Sequence, residues 1–188
     1  WDGELSRAIL SNWLDRADAA GWIAREQILG GEARRRVPAE FQVQRPSIAN
    51  PPTFLLSLRR MVERASAAGA SPREQAQVTA FLARVLSRLE RHVAWFTRTQ
   101  FSLAGLQPGP KAADAAERVP ADESEVRSFR WRERTEGHCL ASGLDDYPRA
   151  PWLTRDEGHV DLHAWMVFAA RTMAELTAFL AQHGADAD

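Results

Sequence analysis

The chain has 188 residues, 45% of them hydrophobic and 26% charged, with a formal net charge of −1. That is the composition of a globular chain able to build a core, and the balanced charge leaves no footprint for nucleic acid or an anionic membrane surface. The single cysteine, Cys139, excludes an internal disulfide, and no run of 18 or more consecutive apolar residues marks a membrane-spanning segment.

Taken in order, Asp2 to Ala20 reads as an amphipathic helix. Leu5, Ile9, Trp13 and Leu14 keep helical spacing, and Gly21 stops it. Residues 22–31 read as a loop or a short extended run, and Glu32 to Arg36 as one turn. Val37 to Ala49 is irregular, with Pro38 and Pro46 in it. Asn50 is a good N-cap, with Pro51 and Pro52 at the first helical positions of a helix that runs to about Ala68 and ends at Gly69. Ser71-Pro72 starts the next helix by the same device. Its stripe of Phe81, Leu82, Val85, Leu86, Leu89, Val93 and Phe96 extends to about Gln100.

Residues 103–126 are rich in Ala, Pro and charge without periodicity, which predicts a flexible surface insertion. Ser128 to Arg134 alternates apolar and basic residues, the pattern of a short strand. A last helix is expected from about Glu157 to His183. The scheme is mainly all-α, with helical hairpins, long loops and minor strand content, and paired helices of this kind build curved arrays or helical barrels. The chain starts with Trp1 and ends in a small polar tail, so a piece of a longer protein is expected.

Chemistry concentrates between Ser142 and Trp165. Gly143 and Pro148 bracket a loop that carries Asp145 and Asp146. Adjacent carboxylates resist simultaneous ionisation, so one can keep its proton and act as a general acid. Glu157 and Asp161 are four apart, on one face if the helix starts at Glu157. With Tyr147, Trp152 and Trp165 nearby, and seven tryptophans in all, the stretch suits carbohydrate. The plainer alternatives are a solvated Asp-Asp turn and a Glu that answers a helix dipole. His159 and His163 have metal-ligand spacing but lack the Glu that the zinc-protease pattern requires, so no metal is assigned.

Several blocks, in order along the chain, resemble the catalytic domain of glycoside hydrolase family 63, the processing α-glucosidases. They are Trp1-Asp2-Gly3-Glu4, the run from Gly21 to Gly30, Val37 to Phe41, Ala49 to Thr53, Trp95 to Gln100, Arg130-Trp131-Arg132, and the acidic loop with its helix. The resemblance implies that residues 1–188 are part of a catalytic (α/α)6 barrel. It also implies inverting removal of the terminal α-1,2-linked glucose from the N-glycan precursor, a glucosylated high-mannose oligosaccharide. No cofactor is implied. Inversion needs an acid and a base about 6.5–9.5 Å apart.

On the family's motif the general acid matches Asp145, with Asp146 the second choice, and the substrate-binding block matches Glu157, His159 and Asp161. Asp146, Arg149, Trp22, Glu26 and Gln27 are further candidates for sugar contact. Gly158 and His163 depart from residues common in the family. The family's base is a Glu far C-terminal of the acid, beyond Asp188, so the piece alone is expected to be inactive. The endoplasmic reticulum lumen is the implied compartment. The competing expectations are a non-catalytic helical glycan-binding module and a related glycosidase acting on another α-glucoside.

Overall fold

A computed structural model describes residues 2–102, 128–132, 134–135, 137–144 and 157–184. The insertion expected at 103–126 lies outside these residues. The described chain is mainly helical. It contains α1 (Gly3–Leu14), α2 (Gly31–Arg36), α3 (Ala39–Gln42), α4 (Phe54–Ala65), α5 (Pro72–Thr99) and α6 (Val160–His183), with a 3-10 turn at Leu140–Ser142. The described residues fall into two compact units. One is drawn from Trp1–Gly21, Pro52–Val93 and Ala164–Asp188, the other from Trp22–Pro51 and Ala94–His163.

The first unit is a helical cluster. Asp2 caps α1 by accepting from the Leu5 amide at 2.9 Å. The helix ends at Leu14, six residues short of the expected end, where amides 16 and 17 turn back to the Trp13 and Leu14 carbonyls in a tight terminal turn. Leu10 and Leu14 are its buried residues, whereas Leu5 and Ile9, expected on the core face, are half exposed. Asn50 does not cap α4, which begins only at Phe54 behind Thr53. The reason lies in the second proline: Pro51 would be the first helical residue behind an Asn50 cap, but it precedes Pro52 and is steered away from helical angles.

Ser71 does cap α5, its hydroxyl accepting from the Glu74 amide at 3.1 Å. Gln75 then closes the hairpin by donating to the free Ala65 carbonyl at the end of α4, at 2.9 Å. Leu55, Leu58, Phe81, Leu82, Val85, Leu89, Met166, Ala169, Leu176 and Phe179 form the core. By length and composition alone α6 could cross a membrane, but its buried residue every third or fourth position is the pattern of a core helix. Gly21 has φ +100°, and a Cβ there would lie 2.3 Å from the Arg91 carbonyl oxygen. That close approach lets the buried His92 donate from Nδ1 to the Gly21 carbonyl at 2.7 Å.

The second unit is built from loops on helix ends. The strand expected at 128–134 shrinks to a single antiparallel bridge between Phe101 and Phe129. Amides Ser102 and Arg130 bond to carbonyls Ser128 and Gln100 at 2.9 Å each, but the next amide in register, Arg132, goes to the Gln100 side chain, which ends the ladder. Helix α6 starts three residues later than expected. Its first backbone bond runs from the His163 amide to the His159 carbonyl at 2.9 Å, and the His159 amide donates to the Phe129 carbonyl at 2.7 Å.

Candidate functional site

An open pocket of about 510 Å³ lies within the second unit. Its walls come from segments far apart in sequence: Arg25 and Glu26; Glu40 and Phe41 on α3; the loop from Val43 through Ile48 to Asn50; Arg132 and Thr135; and His138, Leu140 and Ala141. Each wall is fixed by a bond that ignores sequence distance. The Trp22 indole N–H holds the Ile48 carbonyl at 2.8 Å, and Arg25 reaches the Leu140 carbonyl at 3.3 Å. The Gln42 amide clamps the turn before α3 by donating to the Arg34 and Val37 carbonyls at 2.7 and 2.8 Å.

Gln100 is the junction. It is fully buried at the end of α5. Its Nε2 donates to the Ser47 carbonyl at 2.9 Å, and its Oε1 accepts from the Arg132 amide at 3.2 Å. One side chain thus ties the 43–50 loop to the segment that carries Arg132. Arg132 in turn donates from Nε to the Thr99 carbonyl at 2.6 Å and lies over the Phe101 ring at 5.0 Å. Burial, and then the neighbouring charge of Arg130, pull its pKa down from the ordinary arginine value. The pocket mixes cations, carboxylates, amides and one half-exposed aromatic ring, Phe41, which can donate and accept hydrogen bonds and stack in one space.

The three residues of the Glu157 block come together, but in a buried cluster and not on the pocket wall. Glu157 Oε1 lies 3.4 Å from Arg130 Nε, 3.2 Å from Arg134 Nε and 3.2 Å from His159 Nε2. The Arg134 side chain is 1% exposed, His159 4% and Glu157 15%. The Trp131 amide donates to His159 Nδ1 at 3.1 Å, so Nδ1 offers a lone pair and the ring proton sits on Nε2, facing Glu157. The Trp131 indole donates to Asp161 at 2.9 Å. Glu157 therefore precedes α6, and the single helical face expected for Glu157 and Asp161 does not form.

Of the other candidates, Glu26 lines the pocket. Trp22 stands behind it with its N–H engaged. Gln27 has its Nε2 buried without a hydrogen-bond acceptor among the described residues. Asp145, Asp146 and Arg149 lie outside the described residues. What leads to them is fixed: Ser142 donates to Cys139 and accepts from Leu144, and Gly143 turns the chain at φ +69°, its Cβ position 3.4 Å from Pro51. Arg132, Gln100 and Phe41 were not singled out from sequence, although each lies in one of the ordered blocks.

Residues 1–188 match the glycosyl hydrolase family 63 C-terminal domain. The chain is 37% identical over 209 residues to a probable mannosyl-oligosaccharide glucosidase of Schizosaccharomyces pombe, covering 97% of this chain and 24% of that protein. It is 35% identical over 206 residues to the mannosyl-oligosaccharide glucosidase of Saccharomyces cerevisiae, with 94% and 24% covered. Alpha-glucosidase 2 of Arabidopsis thaliana is 34% identical over 183 residues, with 97% and 21% covered. The chain thus spans roughly a fifth to a quarter of the length of these relatives.

Proposed function

The chain belongs to glycosyl hydrolase family 63, and on that premise we propose that its parent protein is an inverting α-glucosidase removing the terminal α-1,2-linked glucose from the N-glycan precursor. The observation that carries this reading is the convergence of four of the ordered sequence blocks on one pocket, through Arg25 and Glu26, Glu40 and Phe41, Asn50, and Arg132, beside Leu140 and Ala141, which precede the acidic loop. Blocks scattered over more than a hundred residues have no local reason to meet. A shared ligand supplies one.

In this reading Asp145 protonates the departing glycosidic oxygen. The general base comes from elsewhere in the parent protein and activates water on the opposite face of the sugar. Glu26 accepts sugar hydroxyls, and Glu157, with its charge already shared among Arg130, Arg134 and His159, holds the frame that presents Arg132 and the acidic loop. The parent works in the endoplasmic reticulum lumen and folds this segment into an (α/α)6 barrel. A second reading, hydrolysis of a different α-glucoside, is favoured by the relative named alpha-glucosidase 2.

The test is glucose release from a triglucosylated N-glycan by the complete parent, read by proton NMR at early times. β-Glucose first is the expected outcome, and α-glucose first would sink the inverting mechanism. Asp145→Asn should lower turnover about 10²–10⁴-fold while glycan binding persists, and undiminished turnover would remove Asp145 from the mechanism. Release from a panel of α-linked disaccharides, with none from the N-glycan, would select the second reading.

A further inference from the structure

We infer that Arg132 is the residue that orients the sugar in this pocket, its two Nη groups donating to a pair of neighbouring hydroxyl oxygens on a neutral glycan. This rests on the glycosidase reading and names a binding residue for that site.

The argument begins with what Arg132 lacks. Its Nε is used by the Thr99 carbonyl and its face by Phe101, which fix the plane of the guanidinium. No carboxylate among the described residues pairs with it, and neither Nη finds an acceptor there or is sealed from solvent. Arg130 and Arg134, its neighbours in sequence, both have Glu157. A half-buried guanidinium without a counter-charge is costly to keep. It is also a rigid fork with two donors left over, set in the wall of the pocket.

The lining decides which oxygens it meets. Three guanidiniums, Arg25, Arg45 and Arg132, and two carboxylates, Glu26 and Glu40, line the pocket, so charge of both signs is nearly balanced and favours a neutral ligand over a strongly anionic one. Carboxylates that accept, a guanidinium and amides that donate, and the exposed ring of Phe41 together match a polyhydroxylated, uncharged ligand with an apolar face. The ring lies 43% exposed on α3, open to stacking. The support of Arg132 is tertiary: its amide is held by Gln100 and its Nε by Thr99, so the fork is set before ligand arrives.

The experiment uses the complete parent with Arg132→Met, Arg132→Lys and Arg132→Ala. Arg132→Met keeps an apolar stem over Phe101 and removes both Nη donors together with the Nε bond to the Thr99 carbonyl. It should lower kcat/KM about ten- to hundredfold, chiefly through KM, with the melting temperature within a few degrees of wild type. Arg132→Lys, which cannot fork, should fall between. Low-millimolar guanidinium chloride should restore part of the activity of Arg132→Ala, which loss of a purely structural residue would not allow. An unchanged kcat/KM in Arg132→Met, or a loss that tracks melting temperature without guanidinium rescue, overturns the proposal while leaving the glycosidase reading intact. A wild-type parent that releases no glucose from any α-glucoside overturns both.

Discussion

Replacing Glu157 with Gln tests whether that carboxylate holds the fold or touches substrate. It removes one negative charge from between two guanidiniums at 3.2 and 3.4 Å and the His159 ring at 3.2 Å. Arg134 is 1% exposed there, so water cannot replace the lost partner. Breaking a buried ion pair by removing one member costs about 3–5 kcal/mol, and less where the remaining charge keeps other partners, as Arg134 does. Arg130 is 13% exposed and partly solvated, which places the expected cost at the lower end, about 3 kcal/mol. For a chain of 188 residues taken alone that is roughly 6–12 °C in melting temperature, and less in the longer parent.

The assay is a thermal scan of the complete parent at a fixed scan rate, with glucose release measured at 25 °C alongside. The double variant Glu157→Leu with Arg134→Met replaces the closest pair with apolar side chains and should recover much of the loss, since a removed pair does not leave the same orphaned charge. A melting temperature unchanged in Glu157→Gln, together with a large rise in KM, would refute the structural role and return Glu157 to the list of sugar acceptors.

Two further predictions follow from buried polar groups elsewhere. Burial outweighs the Gly21 hydrogen bond and pushes the His92 pKa down from 6.5 to about 4. Between those values the unfolded chain binds more protons than the folded one, so stability should fall as pH drops from 6.5 toward 4, by about 3 kcal/mol. His92→Gln, which can still donate to Gly21, should flatten that part of the melting profile; an unaltered profile would show that His92 is not the group responsible. Gln100→Met orphans the Ser47 carbonyl and the Arg132 amide. A cost of about 2–4 kcal/mol is expected, with faster hydrogen exchange at the Arg132 amide, and unchanged exchange there would remove Gln100 as the junction.

Residues close in sequence made much of the fold legible. Asp2 and Ser71 cap the helices they were expected to cap or open, and the stripe of α5 is buried at Phe81, Leu82, Val85, Leu89 and Phe96. These are choices made within a turn or two, where the side chain and its partner are three or four residues apart. The family was legible too, because ordered blocks survive in sequence whatever they do in space.

Other features were decided by long-range competition. Glu157 stands before α6, against Arg130 and Arg134, and the strand at 128–134 stopped because the Arg132 amide found Gln100. Leu5 and Ile9 kept the helical spacing of a core stripe, yet burial on α1 fell to Leu10 and Leu14. The pocket itself depends on Trp22 meeting Ile48, Arg25 meeting Leu140 and Gln100 meeting Ser47. Periodicity and capping signals carry no information about such pairs. A buried polar group must be satisfied by whatever the whole chain brings within reach, and only the tertiary structure determines which partner that is.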